Sequence, residues 1–334
     1  MRSREAGIVI GEGIPGKRNL ITDVKGVRAG HETIDEGNVH TGVTVVIPCE
    51  DVYRTKPLAA VHVINGFGKS AGLMQVEELG CIESPVALTN TLSVHAALEG
   101  LVCYTLETHE SIRTFNPVAG ETNDSVISDI AKMAVKSSHV LNAIVAAKED
   151  FETGSVGAGR GTVCFGFKGG IGSASRVMKI NNHEYTIGIL VQSNFGLMKD
   201  FTLNGKPLGK EISEQLKSRE ENEKGSVMII AATDLPLDGR QLKRLLRRCE
   251  TGLIRLGSKL GHGSGDVAIG FTTANTTGFS EEVHSFEILR EDLLNQPFRM
   301  ISEAVEEAVL DSMLASEAMK ALDGRIIHSL KEFI

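Results

Sequence analysis

The sequence predicts a layered α/β or α+β sandwich, formed by a single domain that spans residues 1–334. Short runs of β-branched residues recur along the chain and end at glycine, proline or asparagine, which indicates buried strands. Between these runs the apolar spacing changes to three and four residues, which indicates helices packed on a sheet. Strands and helices alternate loosely rather than as regular βαβ units, so a sandwich is favoured over a doubly wound sheet.

The amino-terminal half supplies three predicted strands and two predicted helices. Runs of β-branched residues place strands at 43–48, 59–64 and 84–91, each closed by a residue that favours a turn. Apolar residues spaced by three and four place helices at 93–106 and 124–147. The amino-terminal half is therefore expected to supply both strands of a sheet and helices that pack on that sheet.

The middle of the chain combines glycine-rich strands with one polar stretch. Dense glycine and alternating strand-forming residues at 153–177 predict strands joined by tight loops, and 187–196 is a strand that ends in a turn. Charges of both signs and few apolar residues make 206–226 the best linker candidate. A strongly apolar strand, 226–237, follows directly, and its first residue is Ser226.

The carboxyl-terminal third predicts two helices and two strands. The first helix covers 241–257, and a glycine loop followed by a strand covers 261–275. A second strand is predicted at 284–289 and a long amphipathic helix at 300–322. The apolar stripe of that helix fits either core packing or contact between subunits.

Charge is interleaved along the chain, and the balance is acidic, with a formal net charge of −8 at pH 7. The short basic cluster Lys243, Arg244, Arg247 and Arg248 has the spacing of a solvated helix face. We therefore expect no nucleic-acid partner. No stretch approaches the roughly 18 uninterrupted apolar residues of a membrane span, so no membrane partner is expected.

The cysteine and histidine patterns argue against disulfide and metal chemistry. The five cysteines include no CxxC and lie mostly in apolar runs, which predicts reduced core thiols and a cytoplasmic location. The ten histidines form no HExxH or HxH pattern, so neither a metal nor another cofactor is expected. NGFGKS at 65–70 lacks the first glycine of a phosphate-binding loop, and GAGRG at 157–161 precedes strand-like residues, so both predict structural turns.

Ser226 is the candidate nucleophile because it stands between a polar stretch and a buried strand. A serine without an obvious His–Asp pair can use its own α-amine, with a pKa near 8, once the preceding peptide bond is cut. Gly225 permits unusual backbone geometry before that bond, and the following strand would hold the nucleophile rigidly. The alternative, from spacing alone, is that Gly225 and Ser226 merely begin a strand.

Six blocks of sequence resemble the DmpA-like family, the L-aminopeptidase/D-esterase and β-peptidyl aminopeptidase group of self-processing serine hydrolases. In chain order they are NLITDVKGVRAGHETI (19–34), SPVALTNT (84–91), PVAGETNDS (117–125), VCFGFKGGIGSASR (163–176), GILVQSNFG (188–196) and GSVMIIAATDLPLDGRQLKRLLRR (225–248). Their number, length and order make the resemblance more specific than any single short motif.

The resemblance implies both a fold and an activity. The fold would be an αββα sandwich like that of the N-terminal-nucleophile hydrolases, with DmpA-like topology. The precursor would cut itself between Gly225 and Ser226 into chains 1–225 and 226–334. Ser226 would then be the nucleophile of an aminopeptidase or amidase that acts on small peptides, amino-acid amides or esters. A homo-oligomer is also implied.

The resemblance assigns roles to five further residues. Ser264 and Asp266, in the S-G-D triplet, would orient the nucleophile and relay protons, and the family member compared has Glu where this chain has Asp266. Asn194 would help form the oxyanion hole, and Glu121 would pair with the substrate ammonium. Asn123 stands where some members have a tyrosine that is the other oxyanion donor.

Two other functions fit the same sequence. An acyltransferase of similar self-cleaving architecture, like the ornithine acetyltransferases, would use threonine at the cleavage point, whereas this chain has Ser226. A non-catalytic homologue that kept the fold is the second alternative, and it rests on the departures at Asp266 and Asn123. The sequence does not choose among L-, D- and β-configured substrates.

Overall fold

The computed structural model of the chain describes residues 1–217, 225–279 and 282–334. The helices there are α1 (Val52–Thr55), α2 (Leu73–Leu79), α3 (Val94–Thr108), α4 (Ser137–Val145), α5 (Leu208–Gln215), α6 (Gly239–Leu246), α7 (Cys249–Arg255) and α8 (Asn295–Leu314). The strands are β1 (Arg28–Glu36), β2 (Val39–Ile47), β3 (Pro57–Gly66), β4 (Val86–Asn90), β5 (Val118–Thr122), β6 (Val163–Cys164), β7 (Phe167–Lys168), β8 (Gly170–Ile180), β9 (His183–Asn194), β10 (Gly225–Thr233), β11 (Ser264–Thr276), β12 (Met319–Lys320) and β13 (Ile326–Ile327).

Two larger sheets organise these strands. One has the order β1-β2-β4-β5 and the other the order β3-β11-β10-β9-β8. In the second sheet β10 lies at the centre, parallel to β11 and antiparallel to β9. The strand that begins at the predicted cleavage point is therefore hydrogen-bonded on both edges.

The side chains of β10 alternate between two cores, as expected for a central strand. Met228 and Ile230 pack in the core shared with the four-stranded sheet. Val227 and Ile229 pack in the other core, with apolar residues of α6, α7 and α8. By the same alternation, the side chain of Ser226 lies on the face that is turned to the four-stranded sheet.

Helices cover the outer faces of both sheets. The core of the four-stranded sheet includes apolar residues of α3 and α4, and α8 packs on β8 and β9 of the five-stranded sheet. The order of layers is therefore helix, sheet, sheet, helix. The predicted αββα sandwich is confirmed.

Two sequence predictions in the first two thirds of the chain need correction. The helix predicted at 124–147 is confined to α4, because a buried turn at Asp124 and a left-handed Met133 precede it. The proposed linker at 206–226 contains α5, whose Ile212 is 3% exposed and joins the core. Part of that linker, 218–224, lies outside the described residues.

Three predictions near the carboxyl terminus also change. The helix predicted at 241–257 is divided into α6 and α7. The strand predicted at 284–289 is wrong, since its described backbone forms no ladder and Leu289 N–H donates instead to Pro236 O. The helix predicted at 300–322 ends at Leu314, where the hydroxyl of Ser316 donates to the carbonyls of Ser312 and Gly169.

The apolar stripe of α8 is explained by core packing, because the helix is buried on nearly all sides. Its buried acids meet cations from distant segments: Asp311 pairs with Arg2, and Glu307 pairs with Arg4 and Arg176. No helix in the described part of the chain has both the length and the apolar character that crossing a bilayer requires.

Candidate active site

Ser226 is nearly buried, with 4% of its surface exposed, at the start of the central strand β10. It lies opposite Asn194 on β9 and beside Gly265 on β11. A Cβ atom placed on Gly265 would lie 2.7 Å from the carbonyl oxygen of Phe67 and 3.1 Å from the Cα of Gly68. The backbone of Phe67 and Gly68 therefore packs directly against β11 beside Ser226.

Gly225 is required by close packing against the end of β9. A Cβ atom placed on Gly225 would lie 2.3 Å from the carbonyl oxygen of Asn194 and 2.7 Å from the Cα of Phe195. Both are backbone atoms, so no side-chain movement could relieve the clash. A glycine before the predicted scissile bond is thus explained by geometry.

Asn194, the last residue of β9, presents its side chain on the same sheet face as Ser226, because the two are directly paired in an antiparallel ladder. Its Oδ1 accepts a hydrogen bond from the backbone N–H of Val163 at 2.9 Å. Since that backbone group can only donate, the orientation of the amide is fixed. The Nδ2 hydrogens of Asn194 are therefore the donors that this side chain can offer to a ligand.

Ser264 and Asp266 form a buried pair on β11. The hydroxyl of Ser264 donates to Asp266 Oδ1 at 2.6 Å, and the backbone N–H of Val227 donates to the same oxygen at 3.1 Å. The carboxylate is thus tied to the residue that follows Ser226. This arrangement places one negative charge beside the backbone of the candidate nucleophile.

Glu121 on β5 is a buried carboxylate, 3% exposed, that is held by neutral groups. Its Oε1 accepts from the backbone N–H of Lys69 at 2.8 Å, and its Oε2 accepts from the hydroxyl of Thr91. No lysine, arginine or histidine side chain of the described residues forms an ion pair with it. A buried charge without a counter-charge is costly, so the site favours a cationic ligand.

Gly68 lies between Glu121 and the strand next to Ser226. A Cβ atom on Gly68 would be 3.4 Å from Glu121 Oε1 and 3.7 Å from the Cα of Gly265. Gly265 is the β11 partner of Ser226. The carboxylate and the serine therefore border the same small region of the interface between the sheets, separated by glycines.

Asn123 has a local contact. It is exposed, and its side-chain oxygen accepts from the backbone N–H of Ser125 at 2.9 Å, which closes a short turn after β5. Among the described residues, no contact brings this amide to Ser226. Its role as an oxyanion donor stays a prediction from the resemblance.

Sequence reasoning missed two partners of Glu121. Thr91 follows β4, and Lys69 lies in the NGFGKS turn that was interpreted only as a failed phosphate loop. Both belong to segments far from Glu121 in the chain. The glycines of the turn were the available signal, since Gly68 brings the backbone close to the carboxylate: a Cβ atom there would lie 3.4 Å from Glu121 Oε1.

Comparisons with known proteins agree with this architecture. The model of peptidase family S58 matches residues 19–327. The beta-peptidyl aminopeptidase BapA of Sphingosinicella microcystinivorans is 34% identical over 354 residues, covering 98% of this chain and 89% of that protein. Both findings extend over nearly the whole sequence.

Solved structures give the same answer. The PH0078 protein from Pyrococcus horikoshii OT3 has a TM-score of 0.94 and 46% identity, covering 99% of this chain and 96% of that one. The L-aminopeptidase D-Ala-esterase/amidase from Ochrobactrum anthropi, a variant of the Ntn hydrolase fold, has a TM-score of 0.91 and 32% identity, covering 98% and 95%. The resemblance drawn from the six sequence blocks is confirmed, and the chain belongs to peptidase family S58.

Proposed function

We propose that this chain is a self-processing aminopeptidase whose nucleophile is Ser226, freed by cleavage after Gly225. The observation that carries the proposal is the position of Ser226, which is buried as the second residue of the central strand β10 and lies directly opposite Asn194. The tight approach of Gly225 to β9 supports it, because the scissile peptide is held against fixed backbone. A serine that merely began a strand would not require these neighbours.

Self-cleavage would follow from the hydroxyl of Ser226. Its oxygen attacks the carbonyl carbon of Gly225, the C–N bond breaks, and the hydroxyl proton passes to the departing nitrogen, which leaves an ester and a free α-amine. Water then hydrolyses the ester, so that Gly225 ends as a carboxylate and Ser226 regains its hydroxyl. The products are chains 1–225 and 226–334.

Turnover would use the new amine as a general base. With a pKa near 8, the α-amine accepts the hydroxyl proton of Ser226 while the oxygen attacks the substrate amide, and it returns the proton to the leaving amine. Water completes the cycle by hydrolysing the acyl-enzyme. Ser264 and Asp266 lie beside the backbone that carries this amine, and their hydrogen bond supports a role in orienting it.

Asn194 would stabilise the negative charge that develops on the substrate oxygen. Its Oδ1 is occupied by Val163 N–H, so its Nδ2 hydrogens are available on the face that Ser226 shares. One well-placed donor of this kind is worth about 2.7–4 kcal/mol in other acyl-transfer sites. Such stabilisation applies equally to hydrolysis of amides and of esters.

Glu121 would select substrates with a free amino end. A substrate ammonium would supply the counter-charge that the buried carboxylate lacks, whereas a blocked terminus would leave the charge unpaired. This feature favours an aminopeptidase over an endopeptidase. The names of the relatives from Sphingosinicella and Ochrobactrum support β-peptides and L-amino-acid or D-alanine derivatives as the first substrates to test.

The test replaces Ser226 by alanine and scores two readouts, chain cleavage by denaturing mass spectrometry and release of p-nitroaniline from amino-acid p-nitroanilides. We expect Ser226→Ala to remain one chain and to lose at least about 10⁴-fold in kcat. Ser138→Ala, at an exposed position of α4, serves as the matched control and should behave as wild type. Cleavage or turnover that persists in Ser226→Ala would refute the proposal, and transfer to added amines without hydrolysis would indicate an acyltransferase.

A further inference from the structure

Lys168 is a fully buried lysine that the proposed chemistry does not use. It lies on β7, the second strand of a hairpin whose first strand, β6, begins at Val163, and the two residues are paired across the ladder. Its ammonium donates to the backbone carbonyls of Gly159 at 3.0 Å, Thr162 at 2.9 Å and Gly169 at 2.8 Å. All three ammonium hydrogens are therefore matched by acceptors.

One of these carbonyls leads directly to the candidate oxyanion donor. The carbonyl of Thr162 and the N–H of Val163 belong to the same peptide group. Lys168 donates to the oxygen of that group at 2.9 Å, and its N–H donates to Asn194 Oδ1 at 2.9 Å. A single planar peptide thus connects the buried ammonium to the amide of Asn194.

We propose that Lys168 is a positioning residue that acts through the Thr162–Val163 peptide to fix and polarise the amide of Asn194. The inference rests on the proposed function, in which Asn194 Nδ2 donates to the substrate oxyanion. Lys168 itself touches neither the substrate nor Ser226 in this account.

Hydrogen-bond cooperativity explains the polarisation. A cation at the Thr162 oxygen withdraws electron density from the peptide and makes the Val163 N–H a stronger donor, by roughly 10–30% per bond in the chain. The stronger donor draws density from Asn194 Oδ1, and the conjugated Nδ2 hydrogens become more positive. The chain of bonds therefore runs from a positive charge to the place where negative charge would develop.

The hairpin also restricts the position of Val163. Its turn residues Phe165 and Gly166 both have positive φ, at 49° and 71°, as a two-residue type I′ hairpin requires. With the turn closed and three carbonyls held by one ammonium, the Val163 N–H has little freedom to move away from Asn194. Lys168 would thus act on orientation as well as on charge.

Burial of a lysine has a cost, which argues for a reason to keep it. Burial lowers the pKa of Lys168 well below its usual value, nearby Arg160 lowers it further, and Asp124 and Cys164 oppose the shift. The three carbonyls favour the protonated form, because a neutral amine has only two hydrogens to donate. A methionine would fill the same space without the desolvation penalty.

The first experiment compares Lys168→Met with wild type in turnover of an amino-acid p-nitroanilide, normalised to the concentration of cleaved chain. We expect kcat to fall about tenfold while KM stays within twofold, because a weakened oxyanion donor affects the transition state rather than substrate binding. Lys56→Met is the matched control. Lys56 is a half-buried lysine that pairs with Glu83 and takes no part in the hydrogen bonds that link Lys168 to Asn194. Its kcat should match wild type.

The second experiment separates a role through Asn194 from a purely structural one. If Lys168 acts through Asn194, then Lys168→Met should change kcat less than twofold when Asn194 is already alanine. An equal tenfold loss in both backgrounds would overturn the proposal, as would an unchanged kcat in Lys168→Met alone. Should Lys168→Met fail to fold, Lys168→Gln, which is neutral and keeps donors, takes its place in the same cycle.

Chain cleavage supplies a further readout. A folded Lys168→Met precursor that fails to cleave while Asn194→Ala cleaves would contradict the proposal, because the two residues would then act on different steps. Loss of cleavage in both would agree with it. Failure of the proposed function is recognised separately, since wild type would then show neither cleavage at Ser226 nor turnover.

Discussion

The two sides of Ser226 in the five-stranded sheet carry buried groups of opposite charge. On the β11 side, the carboxylate of Asp266 accepts from the backbone N–H of Val227. On the β9 side, the ammonium of Lys168 lies behind Asn194, one peptide group away. Acyl transfer moves a proton from the nucleophile while negative charge develops on the substrate oxygen. Each charge therefore lies on the side where the proposed chemistry would use it.

The two sides also differ in where their described partners come from. Asp266 accepts from the hydroxyl of Ser264 on its own strand and from the backbone N–H of Val227 on β10. Lys168 is held by three carbonyls and lies in the field of Asp124, a buried acid whose pKa burial raises to about 7. The positive side is therefore a network in which two titratable groups influence each other.

Removing the negative side should have the largest effect. In Asp266→Asn the carboxylate charge beside the backbone of Ser226 is lost, and we expect kcat to fall about 10³-fold, within the range for proton-transfer groups. Steady-state turnover of a p-nitroanilide measures it. Asp266→Glu, with the acid of the family member compared, should retain more activity than Asp266→Asn, and equal activity of Asn and Asp at this position would remove the proton-handling role.

A carboxylate that binds substrate should respond differently from one that handles protons. For Glu121→Gln we expect kcat/KM to fall about 10²-fold with free-amine substrates, because a buried charge pair is lost. The des-amino analogue of the same substrate should be turned over no worse by the variant than by wild type. The measurement is kcat/KM of wild type and of Glu121→Gln with each of the two substrates. An equal loss of kcat/KM with both substrates would show that Glu121 does not recognise the ammonium.

Asp124 should affect the free energy of unfolding rather than the rate of turnover. The pKa of Asp124 in the folded chain is about 7, above the roughly 3.9 of an unfolded aspartate, so the folded state binds the proton more tightly. Its contribution to the free energy of unfolding is therefore lost as pH rises from about 4 to about 7. The free energy of unfolding of Asp124→Asn should exceed that of its parent by about 4 kcal/mol at pH 8 and by almost nothing at pH 4.

Urea unfolding at both pH values, in the uncleaved Ser226→Ala chain, measures this difference. The exposed Asp150→Asn is the control and should show no gain that depends on pH in this window. A gain for Asp124→Asn of the same size at pH 4 and pH 8 would show that ionisation of Asp124 does not set the penalty.

The resemblance to the DmpA-like family named Ser264 and Asp266 of the negative side, whereas nothing in the sequence named Lys168 of the positive side. Ser264 and Asp266 are two residues apart in one of the strands, so both could be placed by the same S-G-D triplet once the resemblance was stated. Lys168 instead depends on carbonyls at Gly159 and Thr162 that only the folded hairpin brings to it. Every residue has a backbone carbonyl, so no sequence pattern marks the carbonyls that will accept from a lysine. In the sequence, Lys168 is therefore only one residue of a strand-forming run.

The errors in secondary structure have related causes. The helix predicted at 124–147 has suitable apolar spacing, but burial of Asp124 after β5 forces a turn there first. The strand predicted at 284–289 has strand-forming residues but no partner strand within the described chain. Local propensity was correct in β10 because that strand is buried on both faces by the rest of the fold.

Amino-terminal sequencing of active enzyme decides whether Ser226 becomes a chain terminus. We expect a second amino terminus that reads Ser-Val-Met-Ile, beginning at Ser226, in an amount that rises in parallel with p-nitroanilide turnover. Full turnover by protein whose only amino terminus is that of the uncut chain would refute self-cleavage as the source of the nucleophile.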